Sequence, residues 1–218
     1  MVMFTSDLKQ SDFFQIESEK LFPHEALDIR KFEKLKGNIF SNVDLVNNPL
    51  VYKRSEDKYI ILDGHHRVEC LKQKGANTVI CELVNKKEIA FSYWNHVVYD
   101  RTFFDYLNHN LDVYVSKLNK KHWLFQIIYN ETRYYVYSNS QLDIKKSHLL
   151  TNNLINYYLL SGKYHKTSCN QINSEKDELI VIFKKVNLDQ ILEGDVGLCP
   201  SGSTRFKRIL LKDDIRLR

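Results

Sequence analysis

The amino-acid sequence predicts an α+β protein, with a mixed sheet and packed helices over residues 1–98 and a smaller α/β region over 99–218 that completes a cleft. Three observations carry this expectation. The apolar run Ile60-Ile61-Leu62 stops abruptly at Asp63-Gly64-His65-His66-Arg67, after which Val68 and Leu71 keep one apolar face as far as Gly75. That is a strand, a polar turn and a helix with a glycine stop. Strand-like and helix-like patterns then follow one another through the first hundred residues. Beyond Val98 the texture changes, with dense aromatic residues and no proline from Tyr99 to Asn173.

Taken in order, Phe13 to Phe22 alternates in part and predicts one strand ending at Pro23, with His24 and Glu25 in a short connection. Ile29, Phe32, Leu35 and Ile39 recur at helical spacing against Arg30, Lys31, Glu33, Lys34 and Lys36, so 28–40 is an amphipathic helix. Asn47-Asn48-Pro49 breaks the chain before a hairpin, Leu50–Tyr52 and Tyr59–Leu62, turned through the charged residues 53–58. Thr78–Val84 reads as a strand, and Ile89, Ala90, Tyr93, Trp94 and Val97 fall at helical spacing. Trp123–Ile128 and Thr132–Ser138 form a second hairpin about Asn130-Glu131. A helix over Leu142–Leu160 stops at Ser161-Gly162, Leu179–Val186 is a strand, and a loop from Gly194 leads into a last strand over 205–211. There is no internal repeat and no low-complexity linker.

Composition bounds the function loosely. The 32 Lys+Arg against 27 Asp+Glu give a net charge of +5, which suits anionic small molecules and nucleic acid equally. No stretch reaches the ~20 apolar residues that span a bilayer, and Met1-Val2-Met3-Phe4-Thr5 lacks the basic flank and apolar segment of a secretory signal. A cytoplasmic location is expected. Cys70, Cys81, Cys169 and Cys199 are scattered without a C-x-x-C pair, so reduced thiols are expected rather than a zinc or redox motif.

The central stretch carries the chemistry. A helix start presents unpaired N–H groups and the positive end of the helix dipole, which favours an anion and above all a phosphate. Gly64 lets the backbone approach such a ligand, and His65, His66 and Arg67 form a compact anion-facing group. Asp63 repels a phosphate unless a metal or a proton lies between them, so it is either a Mg²⁺ contact, an orienting group or simply the helix N-cap. Together these residues suggest phosphoryl chemistry. Ser201-Gly202-Ser203-Thr204-Arg205 offers hydroxyls, flexible backbone and a guanidinium, as an anion-binding loop or as an ordinary turn. There is no G-x-x-x-x-G-K-[ST] and no G-x-G-x-x-G.

Asp63-Gly64-His65-His66-Arg67 after an apolar strand, with Glu25 in Pro23-His24-Glu25 upstream and Pro200 to Arg205 near the C-terminus, resembles the free L-serine kinases. These belong to the ParB/sulfiredoxin-like superfamily and use ATP or ADP. The resemblance covers most of the first hundred residues and returns in the C-terminal loop. It implies a ParB/sulfiredoxin-like nucleotide-binding domain and transfer of phosphate to the serine hydroxyl, giving O-phospho-L-serine for a downstream enzyme. It implies Glu25 as general base; beside a bound phosphate Asp63 is then read as catalytic and as the Mg²⁺ contact, because a divalent ion removes its repulsion of the phosphate. Gly64, His65, His66, Arg67, Ser203 and Thr204 would then hold the nucleotide phosphates. Trp94, Thr204 and Arg205 would line the serine beside Glu25, although Trp94 reads equally as a core aromatic and His96 as a helix-end residue. Phe206 stands where archaeal members often carry His, which removes an imidazole contact there. The alternative is a ParB-like nucleotide switch or DNA-binding protein using Arg205, Lys207, Arg208, Lys212, Arg216 and Arg218, although Asp213 and Asp214 interrupt that run and no helix-turn-helix pattern accompanies it. Sulfiredoxin chemistry needs a Cys where this chain has His65.

Overall fold

Two sheets, of five and seven strands, organise the computed structural model, which describes residues 13–40, 47–168 and 178–209. Met1–Thr5, Cys169 and the basic end with Lys212, Asp213, Asp214, Arg216 and Arg218 lie outside the described residues. The first sheet holds β1 (Phe13–Glu17), β2 (Leu21–Pro23), β3 (Leu50–Ser55), β4 (Lys58–Asp63) and β5 (Thr78–Val84) in the order β1-β5-β3-β4-β2. It is mixed: β2 runs parallel to β4 and β3 to β5, while the remaining pairs are antiparallel. The expected single strand over 13–22 is therefore two strands at opposite edges of one sheet. A 3-10 turn at Ser18–Lys20 lets the chain cross between them.

Helices α1 (Ile29–Phe40) and α2 (His65–Gln73) flank this sheet. Val68 of α2 packs on Ile16, Leu21, Val51, Ile61, Val79 and Cys81. Phe32 of α1 meets Cys70 of α2. Each such large side chain contributes roughly 1.5–3 kcal/mol on full burial. α2 ends as its sequence requires, with Gly75 at φ +79° just beyond the last turn.

The second sheet begins with β6 (Ile89–Val98), which corrects the helical reading of that stretch. Three strands dock on this one: β12 (Thr204–Arg208) along its first half, and β10 (Tyr164–Ser168) and β11 (Leu179–Phe183) on either side of its second half. Its backbone groups are thus drawn into ladders that outweigh an accidental helical spacing. β8 (Phe125–Tyr129), β9 (Thr132–Ser138) and β7 (Val113–Ser116) complete the sheet. The second hairpin turns at Asn130 and Glu131, both at positive φ, as the sequence indicated. Helices α3 (Thr102–His109) and α4 (Ile144–Ser161) cover the sheet, burying Phe103, Leu107, Leu154, Ile155 and Tyr158 against Phe125, Ile127 and Leu179. A short α5 (Leu188–Leu192) precedes the C-terminal loop. Gly162 caps α4 at φ +67°. Among the described residues no helix is long and apolar enough to cross a membrane.

One ion-pair cluster fastens the sheets to each other. Arg208 of β12 donates to Glu82 of β5 at 2.7 Å and to Glu88, just ahead of β6, at 3.0 Å. Burial pushes the Glu88 carboxyl up, but the Asn85 N–H and the Arg208 guanidinium outweigh it and hold the group below the usual carboxylate range. Arg208→Met leaves half-buried Glu82 and buried Glu88 without this cation, and a loss of about 1–3 kcal/mol is expected in urea unfolding.

Candidate active site

Because β2 and β4 are parallel neighbours with Pro23 opposite Ile61, both chains leave the sheet at the same edge. His24 and Glu25 therefore emerge beside Asp63 and α2. Glu25 then forms a parallel bridge with Cys199, with hydrogen bonds from Cys199 N–H to the His24 carbonyl at 2.8 Å and from Ala26 N–H to the Cys199 carbonyl at 3.0 Å. This backbone stitch brings the C-terminal loop onto the acid. The Glu25 carboxylate accepts the Gly202 N–H on Oε1, and on Oε2 the Thr204 hydroxyl and, at 3.2 Å, the Thr204 N–H.

His24, cited in the sequence only as a neighbour of Glu25, is buried in this contact. Its Nδ1 lies 2.6 Å from the Ile61 carbonyl and 2.9 Å from His65 Nε2, and its Nε2 lies 2.8 Å from Thr204 Oγ1. Thr204 has one hydroxyl proton for two neighbours, His24 Nε2 and Glu25 Oε2, so the line His24–Thr204–Glu25 is a chain of shared protons. Burial pushes His24 below the usual imidazole range, with the Glu25 carboxylate opposing, and burial pushes His65 further below it.

Gly64 is the N-cap of α2 at φ +92°, without a side-chain cap, so the first-turn N–H groups are left for a ligand. A Cβ there would lie 2.9 Å from Arg67 Nη2 and 3.1 Å from Pro49. Gly64→Ala combines that crowding with left-handed backbone strain, and a loss of about 1–3 kcal/mol is expected in chemical unfolding. The cap is Gly64 and not Asp63. Asp63 instead pairs with Arg67 at 2.9 Å, and Arg67 also donates to the Asn47 carbonyl. The Asp28 N–H donates to His66 Nε2 at 3.0 Å, which places the proton of a neutral His66 on Nδ1.

The second sheet supplies the opposite wall. Trp94, on β6 and not on a helix, donates its backbone N–H to the Ser203 carbonyl at 2.9 Å, and Arg205 lies 4.4 Å over its ring. His96 is fully buried, donating from Nε2 to the Gly202 carbonyl at 3.1 Å while Tyr158 donates its hydroxyl to Nδ1 at 2.8 Å. Asn152 of α4 accepts the Ser201 N–H at 2.9 Å. His96 and Asn152 thus fix the loop that holds Glu25. Phe206 stacks on Phe91 and meets the edge of His24.

Glu25, Asp63, Gly64, His65, His66, Arg67, Trp94, Thr204 and Arg205 all line one cavity of about 390 Å³. Ser203 does not: it is buried, and its carbonyl accepts the Trp94 N–H. Lys166 of β10 also lines the cavity, and no motif in the sequence marks it. A larger cavity of about 560 Å³ opens beside the start of α4, but it is lined by no Asp or Glu and so offers no carboxylate base.

The fold and the cavity together define a class: an α+β protein in which a five-stranded mixed sheet and a second, seven-stranded sheet enclose an acid, a glycine-led helix start and a Thr-Arg pair. No family model matches the chain. The ATP-dependent L-serine kinase SbnI of Staphylococcus aureus (strain NCTC 8325 / PS 47) is 30% identical over 81 residues, 37% of this chain and 32% of SbnI. The match thus spans about a third of that relative's length. A structure of SbnI with a C-terminal truncation superposes at a TM-score of 0.69 with 19% identity, covering 92% of this chain and 85% of that one. A free serine kinase in complex with AMP superposes at 0.70 with 16% identity, covering 90% and 88%. A variant free serine kinase in complex with ADP gives 0.67 with 19% identity, covering 92% and 89%. The chain has the fold of these free serine kinases, as the resemblance in its sequence implied.

Proposed function

We propose that this protein is a free L-serine kinase that transfers phosphate from an adenine nucleotide to the serine hydroxyl. One observation carries the reading. The Glu25 carboxylate is fixed by Gly202 and Thr204 in the same cavity as the uncapped first turn of α2. A carboxylate offers about four lone-pair sites; Glu25 accepts two loop N–H groups and shares the Thr204 hydroxyl proton with His24, which leaves a site for an acceptor hydroxyl. The serine Oγ forms a bond to the terminal phosphorus of the donor and the bridging P–O bond breaks. The hydroxyl proton goes to Glu25, and ADP leaves if the donor is ATP, or AMP if it is ADP. The N–H groups at the start of α2, with Gly64, His65, His66 and Arg67, would bind the phosphates. Thr204 joins them from the start of β12, and buried Ser203 ties the loop before it to Trp94. Trp94 and Arg205 form the wall along the amino acid. Positioning and charge neutralisation do most of what phosphoryl transfer requires.

Mg²⁺ fits the same arrangement. Among the described residues no three His, Cys, Asp or Glu side chains are grouped to cage a metal. Mg²⁺ is usually held by one or two carboxylates with substrate phosphates and water. The Asp63 side chain is 69% exposed at the cavity wall and so can take part in such a set. The ion would neutralise the phosphate oxygens.

The division into a nucleotide-binding region, 1–98, and a region completing the cleft, 99–218, belongs to the same proposal, as do a cytoplasmic location and a downstream consumer of O-phosphoserine. The DNA-binding alternative is weakened because Arg208 is engaged by Glu82 and Glu88 and Arg205 lies on Trp94. Phosphorus NMR of the protein with Mg²⁺ and L-serine, given ATP and ADP in turn, tests the reading. An O-phosphoserine resonance with one donor is the expected result. Nucleotide binding without transfer to serine would overturn it.

A further inference from the structure

We infer that Lys166 is the group that binds the carboxylate of the amino-acid acceptor and so restricts the site to free α-amino acids. The inference rests on the serine-kinase reading above. Lys166 sits on β10 opposite His96 of β6, on the face that also carries Trp94 and Tyr164. Its side chain crosses directly over Gly202. A Cβ at residue 202 would fall 2.6 Å from Lys166 Cε, 2.8 Å from Nζ and 2.9 Å from His96 Nε2. Gly202, at φ +71°, is therefore needed both for the turn and for the passage of this lysine into the cavity.

Among the described residues the Lys166 ammonium has no ion-pair or hydrogen-bond partner. The nearby carboxylates are engaged elsewhere: Glu25 by Gly202 and Thr204, and Asp28 by the Tyr164 hydroxyl at 2.5 Å and Lys31 at 3.3 Å. Burial lowers the Lys166 pKa, with Glu25 as the main opposing charge. A half-buried cation facing the cavity without a committed counter-ion is stabilised by an anionic ligand.

Position selects the anion. Lys166 lies over Gly202, and Gly202 donates its N–H to Glu25, so the ammonium is on the side of the proposed base. In serine the carboxylate is three bonds from the hydroxyl oxygen, so an acceptor whose hydroxyl meets Glu25 carries its carboxylate within reach of a neighbouring cation. The donor phosphates have their own site at the first turn of α2, and Arg205 lies flat on Trp94. A seryl residue within a peptide, or serinamide, has a neutral amide where the carboxylate belongs and leaves Lys166 uncompensated.

The test compares L-serine with L-serinamide as acceptors for the wild type, Lys166→Met and Lys166→Arg, with nucleotide affinity measured separately by calorimetry. The wild type is expected to prefer serine by about 10–100-fold in kcat/KM, the range of a charge-assisted hydrogen bond. Lys166→Met is expected to raise the KM for serine by a similar factor, bring the serine-to-serinamide ratio near one and leave nucleotide affinity unchanged. Lys166→Arg should restore part of the preference. Equal use of the two acceptors by the wild type overturns the assignment even if Lys166→Met does not fold. Loss of nucleotide affinity in Lys166→Met with an unchanged serine KM overturns it too, by placing the ammonium on the donor phosphate. A wild type that phosphorylates neither acceptor defeats the kinase reading itself, and this inference with it.

Discussion

Glu25→Gln should lower the rate of O-phosphoserine formation by about 10²–10⁴-fold, the span of a positioned general base, while nucleotide affinity stays near that of the wild type. Glutamine keeps the size of the side chain and one oxygen that can accept from Gly202 or Thr204. It removes the second acceptor oxygen and the ability to take a proton. In the wild type, Oε1 accepts from Gly202 and Oε2 from both Thr204 groups. The amide NH₂ would therefore face a donor on one side, and the loop should loosen as well as lose its base. Single-turnover measurements with nucleotide bound separate the two effects, because loosening alone weakens serine binding whereas loss of the base slows transfer from the saturated complex. Glu25→Asp keeps the charge on a shorter stem and should recover part of the rate. Undiminished transfer in the glutamine variant at saturating serine would remove Glu25 from the chemistry and leave it as a latch for the C-terminal loop.

The parts of this site that were legible in the sequence are those in which local chemistry and fold coincide. Asp63-Gly64-His65-His66-Arg67 could be read as a strand end turning into a helix because Gly64 and the apolar run before it impose that geometry locally. Glu25 could not be read from its neighbours; the resemblance supplied it, and the parallel pairing of β2 with β4 explains its place. Lys166 was invisible because its significance comes from Gly202 and Glu25, some forty and one hundred and forty residues away along the chain. The helical spacing of Ile89, Ala90, Tyr93, Trp94 and Val97 misled because neither face of β6 is open to solvent: every residue is buried or half-buried, so the two-residue period is blurred. His96 followed the same error: read as a helix end, it is a fully buried strand residue beneath the loop that holds Glu25.

That position of His96 gives the second large effect, a loss of stability in acid. Burial, aided by Lys166, pushes the imidazole down to about 3, while the Gly202 carbonyl opposes. In the unfolded chain it titrates near 6.5. Between those two points the unfolded state binds a proton that the folded state refuses. Stability therefore falls as pH drops from 6.5 toward 3, and the contribution is fully present only above 6.5. At ~1.4 kcal/mol for each pH unit of that interval the effect reaches roughly 4–5 kcal/mol. The surroundings explain why the folded state refuses the proton. Nδ1 already accepts the Tyr158 hydroxyl, and Lys166 and Lys31 repel an added charge, with Asp28 as the counterweight. His24 and His148, also lowered by burial, push in the same direction, so the acid limb is steeper than His96 alone would make it. His96→Gln should be less stable than the wild type at pH 7.5, where its hydrogen bonds to Tyr158 and Gly202 are missed, and should lose less between pH 7 and 4. The two curves of unfolding midpoint against pH should converge as pH falls. Parallel curves would mean that His96 takes its proton as readily in the folded protein as in water, and that the Glu25 loop does not depend on its neutral form.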